Sequence, residues 1–212
     1  MSILSNNIVI VDYQMGNLRS VQKAFEANGC DVVVSNDHNV IKSADKIVLP
    51  GVGSFKDGMQ NLKKLGLTDV LSQEVLQNKK PFLGICLGMH LIAKKGYENG
   101  ETSGLSWVDS EVVRFEFKPE VESLNIPHVG WNNVNYGNYS GLYNGVEDGH
   151  DFYFVHSYHF QTTENIVSST AKYGIDFVSS IQKGNIYAFQ FHPEKSQTAG
   201  LKIIENFINV KA

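Results

Sequence analysis

The sequence predicts an α/β fold: a central, mostly parallel sheet flanked by helices, with an antiparallel β extension in the second half. Three observations carry this expectation. Short apolar runs alternate with amphipathic stretches through the first half, the pattern of strands joined by crossover helices. The second half holds several apolar or alternating runs with few helical patterns between them. No repeat, low-complexity tract or linker divides the chain, so residues 1–212 are expected to form one domain.

Taken in order, Ile8–Val11 is a short apolar strand ending in Asp12. Asn17 then caps a helix, because its side chain offers an acceptor to the first-turn N–H groups. The apolar positions of that helix, Leu18, Val21, Ala24 and Phe25, fall on one face, and Gly29 closes it. Strands are expected at 31–34 and 46–49, the second stopped by Pro50-Gly51. A helix is expected over 62–77, and a strand over 82–85. From Leu87 the spacing of Leu87, Leu91 and Ile92 predicts another helix, with Lys94 and Lys95 at its end. Residues 111–117 alternate polar and apolar, and 151–160, 177–182 and 186–191 are further strands. Residues 137–149 are rich in turn formers and read as loops. The last stretch, 199–210, is a helix with Leu201, Ile204, Phe207 and Ile208 on one face.

The composition narrows the function. Hydrophobic residues make up 42% and charged residues 19%, the balance of a soluble globular protein. The net charge of −4 argues against a nucleic-acid or anionic-membrane surface. No apolar stretch reaches the length of a membrane span, and residues 1–7 lack both the basic start and the apolar core of a signal peptide. Of the two cysteines, Cys86 sits in a reactive context, and a disulfide to Cys30 would consume it. Both are therefore read as reduced, which places the chain in the cytoplasm.

That context is the run Pro81-Phe82-Leu83-Gly84-Ile85-Cys86-Leu87-Gly88-Met89-His90. A cysteine between an apolar strand and a helix start is the thiol version of a nucleophile elbow. The turn pushes the side chain out of the sheet edge, the flanking glycines admit close backbone approach, and the helix start favours an anionic sulfur. A nucleophilic cysteine needs a base, and the base an orienting group. The strand over 186–191 ends in His192-Pro193-Glu194, which brings an imidazole and a carboxylate to another strand end. Pro50-Gly51-Val52-Gly53 supplies flexible backbone N–H donors for an oxyanion, with the N–H of Leu87 as the second donor.

Other side chains carry less. Among seven histidines, His156 and His159 are three apart in one expected strand and should point to opposite faces. No cysteine or carboxylate completes a compact ligand set, so no metal is expected; Tyr158 shares a face with His156, which suits a substrate-facing edge better. Tyr13, Tyr136, Tyr139 and Tyr143 lack basic neighbours and read as packing and loop anchors rather than a base-stacking surface.

The elbow, the Pro-Gly-Val-Gly loop and His-Pro-Glu, in this order, resemble the class I, triad-type glutamine amidotransferases. Three further segments resemble the glutaminase subunits of imidazole glycerol phosphate synthases, from histidine biosynthesis: Asp12-Tyr13 with Gly16-Asn17-Leu18-Arg19-Ser20, Pro127-His128-Val129-Gly130-Trp131-Asn132, and Tyr153-Phe154-Val155-His156-Ser157-Tyr158. The resemblance spans about Ile8 to Phe207. It implies a class I amidotransferase-like fold and a Cys86, His192, Glu194 triad that hydrolyses L-glutamine to glutamate and ammonia through a glutamyl thioester. It implies oxyanion donors at Gly51, Val52 and Leu87, and substrate contacts at Gly53, His90, Glu98, Ser157 and Tyr158. No cofactor is implied. The implied partner is a (β/α)8-barrel cyclase subunit that receives the ammonia, with Asn17, Arg19, Trp131 and Lys195 at the interface. The family usually carries glutamine at the position of His90, and often glycine at that of Gln14. Two alternatives remain open: the same glutaminase feeding a paralogous synthase of a modified sugar, and a stand-alone cysteine hydrolase of the same fold.

Overall fold

A computed structural model describes residues 7–117, 124–137 and 141–211. The readings above for residues 1–6 and for Tyr139 lie outside the described residues.

Five parallel strands form the frame: β1 (Ile8–Val11), β2 (Val32–Ser35), β3 (Lys46–Gly51), β4 (Phe82–Cys86) and, far along the chain, β13 (Ile186–Phe189). They lie in the order β2-β1-β3-β4-β13. The sheet then continues through β12 (Ile175–Lys183), β10 (Tyr158–Thr162), β7 (Val108–Arg114), β5 (Ala93–Gly96) and β6 (Thr102–Ser103), while β11 (Val167–Tyr173) pairs with β12. All pairings in this extension are antiparallel except β5 with β7. A separate antiparallel ribbon joins β8 (His128–Asn133) to β9 (Asp151–His156).

The inner frame strands β1, β3 and β4 are buried on both faces, so their alternate residues feed two cores. Val9, Val11, Ile47, Leu49 and Phe82 enter one, while Ile8, Ile10, Val48, Leu83 and Ile85 enter the other. The second core is closed by α1 (Leu18–Glu26) and α6 (Gln197–Ile208), with Phe25 and Phe207 in edge contact at 6.5 Å. The first is closed by α3 (Phe55–Lys64), α4 (Leu67–Ser72) and α5 (Leu87–Leu91). Among the described residues, no helix is long and apolar enough to cross a membrane.

Several elements differ from the sequence expectation. The helix expected over 62–77 starts at α3, where Ser54 accepts the Asp57 N–H at 3.1 Å. It is then interrupted at Gly66 and ends in a π-helical turn, Gln73–Gln77. A short helix, α2 (His38–Ser43), was not anticipated. It is too brief to show periodicity, but Asp37 caps it through the Asn39 and Val40 amides. Strand β3 is not stopped by Pro50-Gly51, because both residues continue the register against Ile85 and Cys86. The β1 register ends at Val48, so the amide that Pro50 lacks is not needed there. The helix after Cys86 is little more than one turn. Lys94 and Lys95 lie not at its end but in β5, held between β6 and β7. The strand expected over 151–160 breaks at Ser157 into β9 and β10, which belong to different sheets. That break overturns the expectation that His156 and His159 point to opposite faces. Both rings pack on Phe115, at centroid distances of 5.1 and 4.8 Å.

Candidate active site

The sheet order decides what meets what. Strand β4 lies between β3 and β13, all three parallel, so their carboxyl ends are adjacent. Gly51 pairs with Cys86, and on the other side Phe189 pairs with Ile85. The glycine loop, the thiol and the His192 turn thus arrive side by side from distant parts of the chain.

Cys86 has φ +51° and ψ −104°, a conformation that costs a non-glycine residue about 1–3 kcal/mol. The surrounding packing holds it there. Strand β4 and every residue of α5 are buried. A Cβ at Gly88 would lie 1.8 Å from the Leu49 carbonyl oxygen, and one at Gly51 1.8 Å from the Tyr13 hydroxyl. No larger residue would let α5 or the glycine loop seat this closely.

His192 leaves β13 and begins the 3-10 turn Pro193–Lys195. Its Nδ1 lies 2.7 Å from Glu194 Oε1, with both side chains almost fully buried. The backbone is fixed independently. The His192 N–H donates to Tyr153 O at 2.9 Å, and Ser196 Oγ donates to His192 O at 2.6 Å. Burial alone would push the imidazole pKa down. The nearby Cys86 sulfur, through charge and hydrogen bonding, and the Glu194 carboxylate outweigh it and lift the imidazole to about 10. Nε2 is buried and makes no hydrogen bond of ordinary geometry, so no other partner competes with the sulfur for its proton. Cys86 Sγ lies 3.9 Å from Val155 O and 3.9 Å from Gln190 Nε2.

A cavity of about 320 Å³ opens beside the sulfur. Val52, Gly53, Leu87, His90, Glu98, Ser157 and Tyr158, all selected from the sequence, line it together with Cys86. His156, expected on the same edge as Tyr158, completes the wall with Ser54, Pro127 and Val155, which were not foreseen as site residues. Glu98 Oε2 accepts the Phe55 N–H at 2.7 Å, tying the carboxylate to the first turn of α3 beside Ser54. A larger groove of about 600 Å³ lies between β7, β10 and β12, and no cysteine lines it. Chemistry rather than size selects the smaller cavity.

A class-I glutamine amidotransferase family model matches residues 9–210. The chain belongs to the class I glutamine amidotransferases. Among its relatives, the imidazole glycerol phosphate synthase subunit HisH 1 of Campylobacter jejuni (strain RM1221) is 49% identical, over 96% of this chain and 100% of that one. The subunit HisH of Aquifex aeolicus (strain VF5) is also 49% identical, over 94% of each chain. A crystal structure of a glutamine amidotransferase superposes with a TM-score of 0.72 at 18% identity, over 95% of this chain and 99% of that one, which shows the shared fold.

Within this amidotransferase fold, two buried histidines, His90 and His156, line the cavity, and two more, His128 and His159, are buried nearby, His128 against His156. Burial pushes His128 down to about 4. It pushes His90 to about 4 as well, against the hydrogen bond to Gln190. His156 falls well below its ordinary value and His159 falls too, both mainly by burial. Neutral rings settle the tautomers of one chain. His156 Nδ1 can only donate to Tyr158 O, at 2.8 Å, so its Nε2 accepts from His128 Nδ1 at 3.0 Å. His128 Nε2 then accepts from Asn132 Nδ2 at 3.4 Å. Among the described residues, no group of His, Cys, Asp and Glu is arranged to hold a metal.

These rings make stability acid-sensitive. The unfolded chain binds protons below pH 6.5 that the folded chain refuses until about pH 4, so stability falls as pH drops through that window. A fall from 6.5 to about 4, as at His90 and His128, is worth on the order of 3 kcal/mol at full effect. His192, raised to about 10, contributes fully below pH 6.5 and adds no slope there. The urea midpoint is therefore expected to decline steeply from pH 6.5 to 4.5, before the carboxylates titrate. A flat midpoint over that range would contradict the neutral assignment.

The interface residues expected from sequence are exposed. Asn17, Arg19 and Lys195 are open to solvent, as are Trp131 and, next to it on β8, Val129. Lys195 Nζ sits 5.5 Å over the Tyr153 ring, and Trp131 meets the same ring edge-on at 6.0 Å. Tyr153 in turn lies 6.4 Å from the His192 ring. Helix α1, which follows Asn17, packs against the Pro193–Lys195 turn. Gln14 has φ +65°, with its N–H donating to Asp12 Oδ1 at 3.0 Å, which explains why glycine suits that position.

Proposed function

We propose that the chain is the glutaminase subunit of an imidazole glycerol phosphate synthase. In this reading the cavity holds L-glutamine, and Gly53, His90, Glu98, Ser157 and Tyr158 contact it. Cys86 Sγ attacks the side-chain carboxamide carbon while His192 Nε2 takes the thiol proton. Amides of the 51–52 segment and of Leu87 receive the oxyanion. His192 returns the proton to the leaving nitrogen, the C–N bond breaks, and ammonia departs from a glutamyl thioester. Water, deprotonated by His192, then cleaves the thioester to glutamate and restores the thiol. Glu194 keeps the imidazole in the tautomer and orientation these steps require.

The observation that carries the reading is the buried Glu194–His192 contact behind a thiol that sits at a strained elbow and lines the cavity. Ammonia is mostly protonated in neutral water and then no longer nucleophilic, so a synthase must transfer it without release. The relatives' names make each a subunit of a synthase. The proposed partner is a (β/α)8-barrel cyclase subunit, docked over Asn17, Arg19, Trp131 and Lys195.

The test is glutamine hydrolysis by the chain alone and with that cyclase, with imidazole glycerol phosphate as the second readout. Hydrolysis is expected to rise on complex formation and with the cyclase's ligand. Equal turnover in both states, with no product, would favour the stand-alone hydrolase. Trp131 is 48% exposed in the free chain, so Trp131→Ala should weaken the complex by about 2 kcal/mol or more, a 30-fold rise in Kd, as for a hot-spot aromatic. Titration calorimetry with the cyclase checks this, and an unchanged Kd places the interface elsewhere.

A further inference from the structure

We propose that Gln190 is a positioning residue for the Cys86 nucleophile, held in that role by His90. The proposal rests on Cys86 being the nucleophile.

Gln190 follows the last β13–β4 pair, Phe189 with Ile85, and so lies across the sheet from Cys86. It has no exposed surface, and its N–H donates to Ser179 O at 2.9 Å. The carboxamide spans two groups. Oε1 lies 2.6 Å from His90 Nε2, and Nε2 lies 3.9 Å from Cys86 Sγ. The structure sets the oxygen toward His90 and the nitrogen toward the sulfur. His90 is buried, and burial keeps the ring neutral down to about pH 4. A neutral imidazole has one N–H, and Gln190 Oε1 can only accept. With Oε1 on that side, His90 Nε2–H donates to Gln190 and holds the carboxamide with its NH₂ toward the sulfur.

A donor aimed at the sulfur orients it and favours the thiolate over the thiol. Val155 O, 3.9 Å away, opposes this by accepting from the S–H. The ionisable groups around the sulfur are His192, with Glu194 behind it, from the 192–194 turn, and Tyr13 from the segment before α1. His90 stands behind Gln190, and His156 shares the cavity wall. Gln190 supplies the neutral donor among them. It also explains what His90 does where relatives usually carry glutamine: its Nε2 serves Gln190, and its unprotonated Nδ1 is left as an acceptor.

The test is iodoacetamide alkylation of the full chain from pH 5 to 10, with Cys86 and Cys30 read separately by peptide mass. Gln190→Met keeps the length and removes the donor. Cys86 alkylation is expected to slow about tenfold at pH 7 and to converge with the unaltered chain at the alkaline end of the range. His90→Phe keeps a ring but frees the carboxamide, and should slow alkylation about threefold with the same convergence. A cooperatively melting Gln190→Met that follows the unaltered pH profile overturns the proposal. If that variant does not fold, the same coincidence in His90→Phe overturns it. In the unaltered chain the Gln190 side-chain amide protons should shift in NMR with the midpoint of Cys86 alkylation, and a pH-invariant signal overturns the proposal without any variant. Failure of the underlying reading looks different: Cys86 in the unaltered chain then alkylates no faster than Cys30.

Discussion

Cys86→Ala is expected to cut glutamine-dependent product formation in the cyclase complex by at least about 10⁴-fold, because the covalent route loses its nucleophile. Synthesis from added ammonium salt at alkaline pH should persist within about twofold, since only the ammonia source is lost and a neighbouring triad is not the acceptor's machinery. The fold should survive. Cys86 is a small side chain at a strained position, and alanine keeps its Cβ while leaving only the space of one sulfur. Without a sulfur to attack, the His192–Glu194 pair and the oxyanion amides remain but have no thioester to form or break. Paired assays with glutamine and with ammonium salt check this. Loss of both activities would make the residue structural, and survival of both would move the chemistry to another group.

Legibility followed the range of the interaction. The first four frame strands, the α1 cap at Asn17 and the elbow at Cys86 were readable because local patterns dictate them: apolar runs, an acceptor before a helix, a thiol between glycines. The His192–Glu194 contact was readable because Glu194 is two residues from His192 and both sit past a strand. What local patterns could not show was set by neighbours in space. Strand β3 runs through Pro50 because β4 pairs with it there and β1 does not. Lys94 and Lys95 look like a helix end but serve as strand, since β6 and β7 offer partners on both sides. The break at Ser157 arises because β9 and β10 join different sheets. His156, set on a substrate-facing edge with Tyr158 by their period-two spacing, lines the cavity with it. Gln190 escaped notice altogether, although its period-two relation to His192 along a strand leaving the sheet was a usable signal.

Gly88→Ala tests how tightly the elbow depends on packing, and the expected loss is large for a single methyl group. The added Cβ would lie 1.8 Å from the Leu49 carbonyl oxygen and 2.9 Å from the carbonyl carbon. Both are backbone atoms of β3, and β3 is paired on both sides, with β1 and with β4. They cannot rotate away as a side chain would, so α5 must lift by more than an ångström. Every residue of α5 is buried, and lifting it opens voids under Leu87, Met89 and Leu91. Overpacking with such secondary cavities is worth about 4 kcal/mol or more, a large part of the ~5–15 kcal/mol that holds a domain together. A fall in Tm of about 10 °C or more is expected, with glutaminase activity lost even where the protein still folds, because the lift moves the Leu87 amide away from its proposed place beside the oxyanion. Gly184→Ala is the control. Gly184 has φ +58° but open space around its Cβ position, so only backbone strain applies, about 1 kcal/mol, with no effect on turnover. Equal melting of the two variants would mean that α5 can yield, and that the elbow's geometry has some other origin than the contact between Gly88 and Leu49.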